Sequence, residues 1–178
     1  MNIRQAKVED AAGIAHLHVD NWLANYKDIL PEKALRTWTY QEREARWKKS
    51  IKSAISGGNM TFVAEQNNSI IGFVLSGTMR DERLRMRYSG EVYGLFVNKK
   101  FQRQGLGREL LNTSFLHLKN QHHEKAAMWT LSENVCRSFF QKTGADKVYD
   151  TPVEIGGKTY TNIAYAWEEI PITRRDMQ

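Results

Sequence analysis

A glycine turn ringed by cations is the part of this sequence best suited to chemistry. In Gln102-Arg103-Gln104-Gly105-Leu106-Gly107 the chain leaves an apolar, strand-like run, turns through two glycines and opens a helix at Arg108. Glycine lets a backbone approach a phosphate closely, and the free N–H groups of a first helical turn, with the positive end of its dipole, stabilise negative charge. Lys99, Lys100, Arg103 and Arg108 surround the turn. Charge and backbone therefore describe an anion site. The third glycine of G-x-G-x-x-G and the Gly-Lys-Ser/Thr of a P-loop are both missing, so neither nucleotide motif fits.

Other reactive side chains give less. Cys136 is the single cysteine, which excludes an intrachain disulfide and the cysteine clusters of zinc sites, and no histidine is marked as its partner. His122 and His123 are adjacent near a helix end and point in different directions, so no metal is expected. Lys and Arg exceed Asp and Glu by 26 to 20. That excess fits a nucleic acid, an anionic cofactor or nothing specific.

The elements that must position the turn are read from periodicity. Asp10 can cap a first helix carrying Ala11, Ile14, Ala15, His18 and Trp22, and Pro31 can begin a short turn. A second long helix shows Tyr40, Trp47, Ile51 and Ile55 and ends before Gly57-Gly58. Residues 61–66 and 70–78 flank Asn67-Asn68 as an antiparallel hairpin, followed by a charged, solvated connector over 79–90. Residues 91–97 alternate, which predicts Glu91, Tyr93, Leu95 and Val97 on one strand face. The helix after the turn presents Leu111, Phe115 and Leu118. A strand at 126–130, a helix at 135–143 closed by Gly144, and strands at 147–150 and 160–167 around Gly156-Gly157 complete the order. The chain is expected to be one domain, 1–178. The absence of a signal-like or membrane-length apolar run leads to the expectation of a soluble, cytoplasmic protein without membrane or nucleic-acid partners.

Strand, Q-x-x-G-x-G and helix in this order resemble the acetyl-CoA signature Q/R-x-x-G-x-G/A of the GNAT superfamily of N-acetyltransferases. The segment SENVCRSFFQKTGA is similar to that family's second cofactor element, and DAAGIAHLHVDNWLANYKDILP to a bacterial branch without one defined substrate. The resemblance implies an α/β fold with a mixed, mostly antiparallel central sheet flanked by helices, and a splayed strand at the cofactor site. It implies acetyl-CoA as cosubstrate, without a metal. Gln102, Arg103, Gln104, Gly105, Leu106, Gly107 and Arg108 would hold the pyrophosphate, and backbone groups of Leu95, Phe96 and Val97 the pantetheine arm. One of those N–H groups would stabilise the oxyanion.

An amine with pKa near 10 is almost wholly protonated at neutral pH, so attack on a thioester gains from a base. The resemblance implies Glu91 for that role. Asn134 matches the family's polar cofactor contact and is equally a competent helix N-cap. Phe140 stands where the family has a tyrosine acting as general acid; it has no proton to give and would instead contact the cofactor, packing against its sulfur end. Trp22, Tyr26, Tyr93 and the 79–90 connector fall where the family builds its acceptor site, although aromatic residues at helical spacing are also ordinary core. The acceptor implied is a primary amine of a small molecule or peptide. Dimers are common in the superfamily. A non-catalytic acetyl-CoA-binding regulator is the alternative that Phe140 raises.

Overall fold

Two tight turns show how closely local residue types set this fold. Asn67 and Asn68 take φ of 50° and 59°, and Gly156 and Gly157 take 60° and 81°. Left-handed residues in pairs match the twist of the flanking strands, so each pair closes an antiparallel hairpin. The structure is a computed structural model describing residues 1–172, with only the backbone of 55–57. The Ile55 side chain of the expected helix face, and residues 173–178 of the expected domain, lie outside the described residues.

Along the chain run β1 (Asn2–Gln5), α1 (Ala11–Tyr26), α2 (Glu32–Leu35), α3 (Tyr40–Gly57), β2 (Met60–Gln66), β3 (Ser69–Thr78), β4 (Gly90–Val97), α4 (Leu106–Asn120), β5 (Ala126–Leu131), α5 (Arg137–Lys142), β6 (Asp146–Ile155) and β7 (Lys158–Trp167). The strands form one sheet in the order β1-β2-β3-β4-β5-β7-β6. Every neighbouring pair is antiparallel except β4 and β5, which run parallel and share only Gly90↔Ala126 and Glu91↔Ala127. Beyond those two pairs the strands part. The mixed, mostly antiparallel sheet with a splayed central strand is the expected fold class.

Helices cover both faces. On one, α1 and α3 bury Ile14, Ala15, Leu17, Trp47 and Ile51 against Val63 and Phe73. On the other, α4 presents Leu106, Leu110, Leu111, Phe115 and Leu118, an apolar stripe at helical spacing, to Val74, Val92, Val97 and Met128. α3 runs through Gly57 and is closed by Gly58 at φ 72°, rather than stopping before the glycine pair. α5 spans six residues, shorter than expected. β1 was not legible, because four residues with one central apolar side chain carry too little alternation. Arg4 fixes it by bonding Asp10 and Glu65, and so the Asp10 carboxylate serves Arg4 and the Lys7 N–H rather than capping α1.

Two further corrections concern the centre of the sheet. Leu75 faces Gly94 while Ser76 faces Val92, which leaves Tyr93 as the extra residue of a β-bulge. The bulge shifts side-chain parity. Val92, Leu95 and Val97 therefore face α4, and Phe96 faces α1; the expected single face of Glu91, Tyr93, Leu95 and Val97 is broken. The connector is also more than a solvated loop. Met79, Leu84 and Tyr88 are buried, and Arg87, Lys125 and the Tyr88 hydroxyl converge on Glu168.

Leu110 is fully buried between α4 and β3. Leu110→Ala is expected to destabilise the chain by about 2–5 kcal/mol through lost burial and the cavity left behind. Urea unfolding monitored by circular dichroism measures it, with no change in the slope against urea concentration.

Candidate active site

Parting β4 from β5 leaves backbone groups unpaired in the middle of a sheet, and register identifies them. The Asn98 N–H bonds the Ile71 carbonyl at 2.9 Å, so Asn98 and Phe96 turn their peptide groups towards β3. Leu95 and Val97, alternating with them, turn theirs to the open side. Phe96 is thereby corrected as a backbone donor to a cofactor. Its ring stacks on Phe73 with centroids 4.9 Å apart. On the open side, the Gln102 amide donates to the Val97 carbonyl at 2.9 Å, so the first residue of the glycine turn is tied to the end of the strand.

The turn has the geometry of an anion site. Arg103 and Gly105 take φ of 63° and 91°, and left-handed residues alternating with another conformation bend successive N–H groups into a concave array. Helical bonding begins with Arg108 N–H to Gly105 O, so the N–H groups of Leu106 and Gly107 have no partner within the helix. Gln104 ties back by its amide to Lys100 O. Lys99, Lys100, Arg103 and Arg108 are exposed, and none pairs with a carboxylate among the described residues. The Phe139 ring lies over Gly107, where an added Cβ would touch it at 3.5 Å, and Leu95 lies beside it.

Glu91 sits at the vertex of the opening with its side chain 4% exposed. Arg80 grips it by three donors: backbone N–H at 2.9 Å, Nε at 3.2 Å and Nη2 at 2.7 Å. The Arg80 guanidinium also lies 3.7 Å from the centre of the Tyr93 ring. Tyr93 donates its hydroxyl towards Thr78 O and Asn59 Oδ1, and burial pushes the phenol up to about 12 against the pull of Arg80. Glu91 and Tyr93 thus share a face, but Arg80 and Asn59 complete their surroundings. Neither was read from the sequence: Arg80 lies in a run of mixed charges, which resembles any solvated surface.

An arc of aromatic residues walls the α1 side. Phe96 on β4 contacts His18, with centroids 4.4 Å apart; His18 meets Trp38 edge-on at 4.7 Å, Trp38 stacks on Trp22 at 4.2 Å, and Trp22 meets Tyr26 at 4.7 Å. Arg43 covers the other face of Trp38 at 3.4 Å. The arc ends at the far strand, where Asn134 Nδ2 donates to the Tyr26 hydroxyl at 2.9 Å and to Thr130 Oγ1 at 3.0 Å. Asn134 Oδ1 accepts the Cys136 N–H at 2.8 Å, so the residue does cap the turn into α5. Trp22 and Tyr26 are brought into this wall. Phe140 is turned away, buried against the core of α4 and Tyr165, and its neighbour Phe139 flanks the glycine turn instead. Adjacent helix positions point apart, a signal that the Phe-Phe pair carried.

The family model described as an acetyltransferase (GNAT) domain matches residues 26–165. The chain belongs to the GNAT acetyltransferase family. It is 31% identical over 172 residues to the uncharacterised N-acetyltransferase YuaI of Bacillus subtilis (strain 168), an alignment spanning 96% of this chain and 94% of that one. Solved structures share the fold. PaiA N-acetyltransferase of Thermoplasma acidophilum, in complex with coenzyme A, superposes with a TM-score of 0.74 at 17% identity over 93% of this chain and 98% of its own. The yncA protein of Salmonella typhimurium, with its cofactor acetyl-CoA, gives 0.71 at 20% identity over 97% and 95%. This member is a GNAT-type N-acetyltransferase.

Burial pushes the His18 imidazole of this GNAT chain down to about 3, helped by Arg43, and Trp47 donates its indole N–H to His18 Nδ1 at 3.3 Å. A histidine neutral when folded and protonated when unfolded contributes stability that is full above about pH 6.5 and declines as pH falls towards 3. The His18 ring signals in NMR are therefore expected to stay constant from pH 8 down to about 4.

Proposed function

We propose that this enzyme moves acetyl from acetyl-CoA to a primary amine of a small molecule or peptide by direct attack, both substrates being bound together. One observation carries this reading: an open backbone edge at Leu95 and Val97 runs from the anion-binding turn at Gly105 to a buried carboxylate at Glu91. A pantetheine arm is an extended amide chain that can bond such an edge as a neighbouring strand does. The residues fit the cofactor. Gln102 to Arg108 suit its pyrophosphate, the N–H groups of Leu95 and Val97 its arm, and Phe139 with Leu95 gives an apolar wall. Bound there, acetyl-CoA supplies the acetyl group as an activated thioester.

The chain's own groups then divide the work. An N–H on the free edge of β4 is fixed before reaction and stabilises the oxyanion, a role worth about 3–4 kcal/mol in comparable sites. Glu91 is the general base. A carboxylate has roughly four acceptor positions, and Arg80 fills three. The remaining one suits a water molecule, so Glu91 takes the amine's proton through water rather than by direct contact. The acceptor approaches along the α1 face, where Tyr93, Trp22 and Trp38 stand.

The Arg80 clamp also favours a second reading, a non-catalytic acetyl-CoA-binding protein in which Glu91 is only an anchor for the connector. Acetyl-CoA-dependent thiol release over a broad amine panel separates the two. Under the first reading, Glu91→Gln lowers kcat by roughly 10²–10⁴-fold and leaves acetyl-CoA affinity, measured by calorimetry, nearly unchanged. Equal turnover in the variant removes Glu91 from the role of base. Acetyl-CoA binding with no release from any amine supports the second reading.

A further inference from the structure

A thiolate leaving inside this slot must be stabilised by something other than bulk water, and the nearby Phe139 ring donates no hydrogen bond. The hydroxyl of Tyr26 is placed to do so. Tyr26 belongs to α1 and packs with Leu131 and Leu35 on the α1 face of the sheet. Thr130, which it reaches through Asn134, pairs with Ile163, whose side chain lies in the core on the α4 face. β7 fills the far flank of β5 along its whole length. The contact between faces is therefore made at the C-terminal end of β5, where that strand has already parted from β4.

The orientation of Asn134 fixes the hydrogens. Its oxygen must face the Cys136 N–H, so its NH₂ faces Tyr26 and Thr130. The Tyr26 oxygen accepts from Asn134, with the Thr130 hydroxyl as a second donor, and the phenol's own hydrogen is left for another acceptor. Burial pushes the Tyr26 phenol up and these two hydrogen bonds pull it part of the way back, so the group remains a neutral donor across the working pH range.

We propose that Tyr26 donates a hydrogen bond to the cofactor's sulfur and stabilises it as a thiolate, making Tyr26 a catalytic residue of this enzyme. This rests on the acetyl-CoA reading of the site. As the carbon–sulfur bond breaks, its electron pair comes to rest on the sulfur and the O–H of Tyr26 solvates it. The proton stays on Tyr26. The thiolate takes its proton from solvent after release, and the proton lost by the amine leaves through Glu91.

The test needs no acceptor. CoA labelled with an NMR-active isotope at the carbon beside its sulfur is titrated while bound to the wild-type chain and to Tyr26→Phe. A free thiol ionises near pH 8.5, and a hydrogen bond to a charged acceptor shifts that by about one to two pH units. The bound thiol is expected to ionise that much lower in wild type than in Tyr26→Phe. Equal ionisation in the two overturns the role of Tyr26 and leaves the cofactor reading intact. Failure of the wild-type chain to bind CoA overturns the cofactor reading and this inference with it. Should Tyr26→Phe itself not hold CoA, p-aminophenylalanine at 26 keeps the ring with a weaker donor. The thiol then ionises at higher pH than in wild type, and an unchanged value overturns the proposal.

Discussion

Separation of β4 from β5 after two residue pairs is the constraint on which the rest of this structure depends. A strand in the middle of a seven-stranded sheet normally has both edges bonded. Each buried N–H or carbonyl left without a partner costs about 1–3 kcal/mol. An opening of this kind survives only where other groups meet part of that cost and where neighbouring elements hold the strands apart. Gln102 does the first at the Val97 carbonyl. The N–H groups of Leu95 and Val97 face the gap.

Several features keep the gap from closing. The bulge at Tyr93 turns β4 just beyond the vertex, and Gly94 follows it where a Cβ would come within 2.7 Å of the Phe96 ring. The aromatic arc from Phe96 to Tyr26 spans the two strands on one face, and Asn134 fastens its far end to β5. On the other face, Phe139 rests on Gly107 beside Leu95. Each ring in the wall contacts two neighbours. His18 shows the consequence, since four aromatic rings around it exclude the water that a charged imidazole needs.

The sequence carried the local features of this arrangement and little of what depends on distant contacts. The glycine turn, both hairpin turns and the stripe of α4 are set by residues adjacent in the chain, and the fold class followed from their order. The bulge was not legible, because Glu91 to Val97 alternates well enough to read as an unbroken strand and the extra residue exists only relative to β3. Arg80 and Asn59 were missed for the same reason: each lies more than ten residues from its partner, Glu91 or Tyr93. The Phe139-Phe140 pair was legible as a pair, but which ring meets the glycine turn depends on the rotation of a six-residue helix. Trp38 escaped notice in an irregular segment, where no periodicity marks a buried face.

The buried Glu91 carboxylate poses a last electrostatic question, because a charge so far from water is retained only when paired and hydrogen-bonded. Arg80 meets that need while staying largely in solvent, its side chain 62% exposed against 4% for Glu91. Glu91 is thus the deeper of the two partners, and the weakly hydrated, planar guanidinium can pair with a carboxylate and stack on Tyr93 at once. A lysine there would present one ammonium in place of a two-nitrogen fork and would lose the flat contact with the ring. The connector that carries Arg80 is in turn held by Tyr88 and Arg87 at Glu168, beyond the end of β7. A segment that reads as surface charge is therefore part of the support for the innermost acid of the site.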